Sequence, residues 1–199
     1  MRLLTAVALS TVLFATQQAN GSKLTRELGD QFQTKLGRIV QNGQTPRGKS
    51  GAAQSTQVTD AELNSYLRFQ AADQVPAGIV EPEINAVGEG KVSGRAVVDL
   101  DAVRKQKERG WLDPMGYLTG RLPLTARGRL VTENGKGRFE LEGAELSGVT
   151  IPKTLVQELL TFYSKTPEDP DGINMDDPFD LPAQIREIRV TAGNATIVQ

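Results

Sequence analysis

Apolar positions change their period along the chain, and each change predicts an element. An apolar run from Leu3 to Ala15 follows Met1-Arg2 and precedes Thr16-Gln17-Gln18-Ala19. One positive charge ahead of a short apolar run is the layout of a secretory signal. The run is shorter than the roughly 20 apolar residues that a transmembrane helix needs. Residues 1–20 are expected to be a signal peptide cleaved between Ala15 and Ser22, a retained membrane anchor being the alternative. No cysteine follows the run, so lipid attachment at a cysteine is excluded.

From Ser22 to Gln41, Leu24, Leu28, Phe32, Leu36, Ile39 and Val40 recur at spacings of three and four. That spacing predicts an amphipathic helix. Residues 42–57 collect Gly43, Pro46, Gly48, Ser50 and Gly51 without periodicity. They predict a flexible linker that sets the helix apart as a stalk, latch or oligomerisation element. Thr59-Asp60-Ala61-Glu62 matches a capping box and predicts a second helix from Asp60 to Ala72, with Leu63, Tyr66 and Leu67 inward. Pro76 and Gly78 end it.

From Ile79 the period falls toward two. Pro82, Ile84 and Ala86 alternate with Glu81, Glu83 and Asn85. After Gly88-Glu89-Gly90, Val92, Ala96, Val98 and Leu100 alternate with Ser93, Arg95, Val97 and Asp99. This predicts a β-hairpin. In a second hairpin Leu122, Leu124, Ala126 and Leu130 alternate with Arg121, Thr125, Arg127 and Arg129, Asn134-Gly135 makes the turn, and Phe139 and Leu141 return. Leu146 falls out of register with Leu141, which places a bulge at Gly143. A third helix opens at Pro152, carries Leu155, Val156, Leu159, Leu160, Phe162 and Tyr163, and closes at Lys165. Ile185–Ala192 and Ala195–Gln199 across Gly193-Asn194 predict a third hairpin.

Helices between sequential hairpins give an α+β class: a curved antiparallel β meander of three hairpins wrapped against apolar helices, with a separate N-terminal amphipathic helix at 21–41. Residues 58–199 form the main domain. The inner faces nominate Leu63, Tyr66, Leu67, Val98, Leu124, Leu130, Phe139, Leu155, Leu159 and Phe162 as the lining of an apolar groove, unless they simply fill a core.

The chain has no cysteine and no histidine. That removes Ser-His-Asp triads, cysteine nucleophiles, thiolate or histidine zinc sites and histidine acid–base work. An enzyme of carboxylate type stays open but has no motif, so catalysis is not expected, and no cofactor is. Lys and Arg number 23 against 24 Asp and Glu. This balance gives no pull toward nucleic acid. The acidic stretch Glu168–Asp180 invites a calcium reading, but counting back from Gly172 puts Pro167 where an EF-hand requires an acid. No metal site is expected. Gly88-Glu89-Gly90 leads into a strand and fails the dinucleotide pattern.

Arg104, Lys105, Lys107 and Arg109 precede Trp111, Leu112, Met115 and Tyr117. Basic residues beside Trp and Tyr suit a membrane interface or the mouth of a pocket. A short helix with a solvated basic face is the plainer alternative.

Three segments resemble bacterial cell-envelope lipid-binding proteins related to the tubular lipid-binding fold. They are Thr59–Leu67, Gly148–Pro152 leading into an apolar helix, and Leu181-Pro182 followed by Ile185–Val190. The resemblance spans about residues 57–199. It implies a curved antiparallel sheet around a helix, an apolar groove for acyl chains, and no catalytic residues. The expectation is an exported, non-catalytic binder of lipid or another apolar ligand in the periplasm or cell envelope, with secretion also open. It would touch membranes peripherally through the Trp111 loop. The alternative is an interaction module of an envelope or secretion complex, with a protein partner on the 22–41 helix.

Overall fold

A computed structural model describes residues 23–44, 53–76, 78–105, 119–165 and 170–199, the side chains of 103–105, 159, 162 and 163 excepted. The expected signal peptide lies outside the described residues, as do Lys107, Trp111, Leu112, Met115 and Tyr117. Among the described residues, four helices, α1 (Arg26–Gln44), α2 (Asp60–Phe69), α3 (Leu100–Lys105) and α4 (Lys153–Ser164), are interspersed with strands. The strands are β1 (Ser55–Thr59), β2 (Ile79–Gly88), β3 (Lys91–Asp99), β4 (Arg121–Glu133), β5 (Lys136–Leu146), β6 (Val149–Ile151), β7 (Phe179–Asp180), β8 (Glu187–Thr191) and β9 (Asn194–Val198). The class is α+β with antiparallel sheets.

The larger sheet runs β2-β3-β4-β5-β6, with β7 beside β5. Its hairpins close through Glu89-Gly90, Asn134-Gly135 and Ser147-Gly148, each pair with φ positive at both residues. Two successive positive φ angles make the turn whose twist matches the flanking strands. The β4–β5 register shifts opposite Arg127/Gly128, where Gly143 faces Arg127 and Leu141 faces Gly128. This is the bulge expected at Gly143. Pro82 lies in a second bulge, in the edge strand β2, where a missing N–H breaks no ladder. The Ser147-Gly148 turn and β6 follow from the same dipeptide logic but are absent from the sequence reading above.

The third hairpin does not extend that meander. It pairs β8 with β9, and β9 with β1, as a separate three-stranded sheet. The 42–57 segment is thus not all linker, because α1 reaches Gln44 and β1 begins at Ser55. Thr56 and Val58 face inward along β1 while Ser55 and Gln57 are exposed. Its register partners run from Val198 to Asn194. A five-residue strand paired so far along the chain leaves no local pattern to read.

The two sheets meet at hairpin tips. Gly90 N–H donates to Val190 O, Gly193 N–H to Ala86 O, and Gly135 N–H to Arg186 O. Thr132 Oγ1 donates to Ile188 O at 3.1 Å and accepts from Ile188 N–H at 2.8 Å. α2 closes the free edge of β2. The Asn64 amide exchanges two bonds of 2.8 Å with the Ile84 backbone, as a neighbouring strand would. The Asp60 carboxylate accepts from Ala86 N–H. Capping an edge in this way removes a template for unwanted strand pairing.

α1 is not separate. Phe32 stacks on Tyr66 with ring centroids 4.9 Å apart, and Ile39 is buried. Lys35 Nζ donates to both oxygens of Glu62 at 2.6 and 2.8 Å. The capping box forms as expected: Glu62 N–H donates to Thr59 Oγ1, and Thr59 N–H donates to Glu62 Oε2. One carboxylate therefore starts α2 and fastens α1 to it. At the other end of α1, Gln199 donates to Ile39 O and Ala183 O and accepts from Asn42. The apolar stripe of α1 supplies Phe32 and Ile39, but Lys35, Asn42, Glu62 and Gln199 also fasten it, and a hydrophobic pattern does not register those.

A Cβ on Gly43 would lie 2.5 Å from Ala183 Cα and 2.7 Å from its carbonyl carbon. Backbone cannot rotate away. Alanine gains about 1 kcal/mol of helix propensity over glycine, whereas overpacking costs about 1–3 kcal/mol. Gly43→Ala is expected to lower stability by up to about 2 kcal/mol in urea unfolding, and a stabilised variant would show that this contact yields freely.

Two acids on α2 titrate in opposite senses. Burial pushes the Glu62 carboxyl up, but the Lys35 ammonium and the Thr59 N–H outweigh it, and the net shift is downward. Burial pushes Asp60 up, and the bond from Ala86 only partly offsets this. A lowered carboxyl adds stability that is present above its unfolded pKa and lost as pH falls through the folded one. A raised carboxyl does the reverse: its contribution is present at acid pH and lost as pH rises. The stability advantage of wild type over Glu62→Gln should therefore shrink on acidification below the ordinary glutamate range. Its difference from Asp60→Asn should move in wild type's favour earlier, as pH falls toward the ordinary aspartate range. Urea midpoints at neutral and acid pH measure both, and slopes of the same sign would contradict the assignment.

Candidate binding site

Successive rungs of the larger sheet change from apolar to charged on one face. Register places Val80, Val97 and Pro123 side by side. The next rung on that face holds Glu83, Arg95, Thr125 and Glu145. The one after holds Asn85, Ser93, Arg127 and Gly143. Strand alternation keeps these side chains on a common face. Pro123 is tolerated in an inner strand because its carbonyl accepts from Ser147 N–H, so its nitrogen faces the end of the β5 ladder.

α2 and the turn after it rise beside the apolar rung. Leu67, Arg68, Ala72 and Val75, together with Leu24 and Asn64, flank an open cavity of about 640 Å³ against Ile79, Val80, Glu81, Val97, Pro123 and Leu124. This lies within the roughly 300–1,000 Å³ of small-molecule sites. Glu83, Arg95 and Thr125 line one end of it and also belong to a second cavity of about 290 Å³. The second is polar, lined further by Asn85, Ser93, Arg127 and Glu145. The two form one groove with an apolar end and a charged end.

Arg95 stands at the junction, donating from Nε and Nη2 to Glu83 Oε2 at 3.0 and 2.6 Å. The Arg95 guanidinium holds the Glu83 carboxyl below the usual glutamate range. Arg127 lies along Gly143, where a Cβ would come within 3.5 Å of its Nε and Nη2.

Of the residues nominated from sequence, Leu67 and Leu124 line the groove. Tyr66 stacks on Phe32. Val98 pairs with Ile79 and Leu122, and Leu130 pairs with Phe139, on alternate positions to the groove rungs. Leu63 and Leu155 are half-buried and do not line either cavity. The side chains of Leu159, Phe162, Arg104 and Lys105 lie outside the described ones. In the acidic stretch Asp176 accepts from Lys153 and Asp177 accepts from Asn174. Sequence reasoning missed Val80, Val97 and Pro123. The available signal was the apolar pair Val97-Val98, which breaks strict alternation and marks an apolar residue on the otherwise polar face.

No protein-family model matches the chain, and no curated protein matches it. A crystal structure of lipopolysaccharide binding protein is similar over 78% of this chain and 45% of that one, at 16% identity and a TM-score of 0.23. The chain thus spans less than half the length of that protein, and a likeness this slight carries no argument about the groove.

Proposed function

We propose that this protein binds an amphiphile, burying an acyl chain in the cavity between α2 and the rung of Val80, Val97 and Pro123. The observation that carries this reading is the run from a cavity of about 640 Å³, lined mostly by aliphatic residues with Asn64, Arg68 and Glu81 at its rim, into one lined mostly by charged and hydroxyl side chains. An amphiphile has that same order of chemistry along its length. Twelve to sixteen buried methylenes gain roughly 10–13 kcal/mol. Association costs several kcal/mol, which leaves dissociation constants of about 1–100 µM. The reading is of a binder rather than an enzyme, since the groove follows the order of chemistry along an amphiphile and the chain shows no catalytic motif. The apolar run at Leu3–Ala15 supports export to the cell envelope.

Protein stripped of lipid by unfolding and refolding should bind a fluorescent fatty acid saturably, one per chain. Absence of saturable binding overturns the proposal. A second reading, an interaction module, draws on Leu36 and Val40, which stay exposed on α1. It is the lesser one, because the rest of that helix is committed to the fold.

A further inference from the structure

Resting on the acyl-chain reading, we propose that the polar end of the groove is a headgroup site for a zwitterionic amphiphile. Arg127 takes the phosphate and Glu145 the ammonium. Four charged side chains line this cavity: Glu83, Arg95, Arg127 and Glu145. Arg95 and Glu83 neutralise each other at 2.6 Å. The side chains of Arg127 and Glu145 have no hydrogen-bond or ion-pair partner among the described residues, and they do not pair with each other. One cation and one anion are left over, facing the same space.

Their spacing follows from register. Arg127 lies opposite Gly143, and Glu145 lies opposite Thr125. They are diagonal neighbours on adjacent strands, with Cβ atoms on the order of 7 Å apart. Long side chains at that separation bracket a group whose two charges stand a two-carbon spacer apart. The hydroxyls of Ser93 and Thr125 and the Asn85 amide line the same cavity and offer neutral hydrogen bonds. A purely anionic headgroup would meet Glu145 at the same opening, and a purely cationic one would meet Arg127. A balanced site selects a balanced ligand. The charged rungs directly follow the apolar one, so a chain lying against Val97 and Pro123 delivers its headgroup here.

The test compares four probes on the refolded full chain by isothermal titration. They are dioctanoyl phosphatidylethanolamine, dioctanoyl phosphatidylglycerol, dioctanoyl glycerol, and phosphoethanolamine alone. A charge-assisted hydrogen bond is worth roughly ten-fold in affinity. Phosphatidylethanolamine should therefore bind at least about ten-fold more tightly than either dioctanoyl glycerol or phosphatidylglycerol. Arg127→Gln and Glu145→Gln should each bring it down toward the glycerol and leave the thermal midpoint unchanged. Equal binding of phosphatidylethanolamine and the glycerol, or no effect of Glu145→Gln, overturns the headgroup site while the acyl-chain reading stands. Phosphoethanolamine binding as tightly as the lipid overturns it too, as a free-standing zwitterion site. Failure of all three dioctanoyl compounds to bind overturns the acyl-chain reading itself.

Discussion

Lys35→Ala is expected to cost about 3 kcal/mol of folding stability at neutral pH. The Glu62 side chain is 6% exposed, and Lys35 is its countercharge. Removing the ammonium leaves a buried carboxylate with only its capping bonds to Thr59. A buried ion pair contributes little net stability, but breaking one from a single side strands the other charge. The double variant Lys35→Met with Glu62→Gln should recover most of the loss. The glutamine still accepts from the Thr59 N–H, and no charge remains buried. For a chain of this size 3 kcal/mol lowers the thermal midpoint by roughly 6–12 °C. A single-variant loss no larger than that of an exposed ion pair, below about 1 kcal/mol, would mean that water reaches Glu62 and that α1 is held without this pair.

The second large effect concerns ligand. Ala72→Trp is expected to weaken acyl-chain binding by about 100-fold or more. Ala72 is exposed on the turn after α2 yet lines the apolar cavity, so an indole enters the groove without overpacking the core. Displacing four methylenes removes roughly 3 kcal/mol of burial, which is the stated factor. Urea unfolding of the same variant should match wild type. Fatty-acid affinity that is unchanged in Ala72→Trp would place the chain elsewhere.

The hairpins were legible because two local signals coincide in them, the period of two and paired turn residues that tolerate positive φ. The start of α2 was legible for a similar reason, since a capping box closes within four residues. The docking of α1 was not. Beside Phe32 and Ile39, it depends on Gly43 against Ala183 and on Lys35 against Glu62, contacts between positions distant in sequence that an apolar pattern does not mark. β1 was missed because its partner β9 lies at the far end of the chain. The groove was half legible. Leu67 and Leu124 belong to it, whereas Val80 and Val97 sit in a bulged strand and its neighbour, where an alternation rule assigns the face incorrectly. A cavity is a property of how elements stand apart, and no residue pattern encodes it directly.

Photocrosslinking with a diazirine fatty acid, followed by peptide mapping, tests the groove most directly. Labels are expected on Leu67, Val80, Val97 and Pro123, and they should disappear in Ala72→Trp. Labels concentrated instead on Val98, Leu130 and Phe139, or saturable binding with no label on the α2-facing rung, would contradict the assignment.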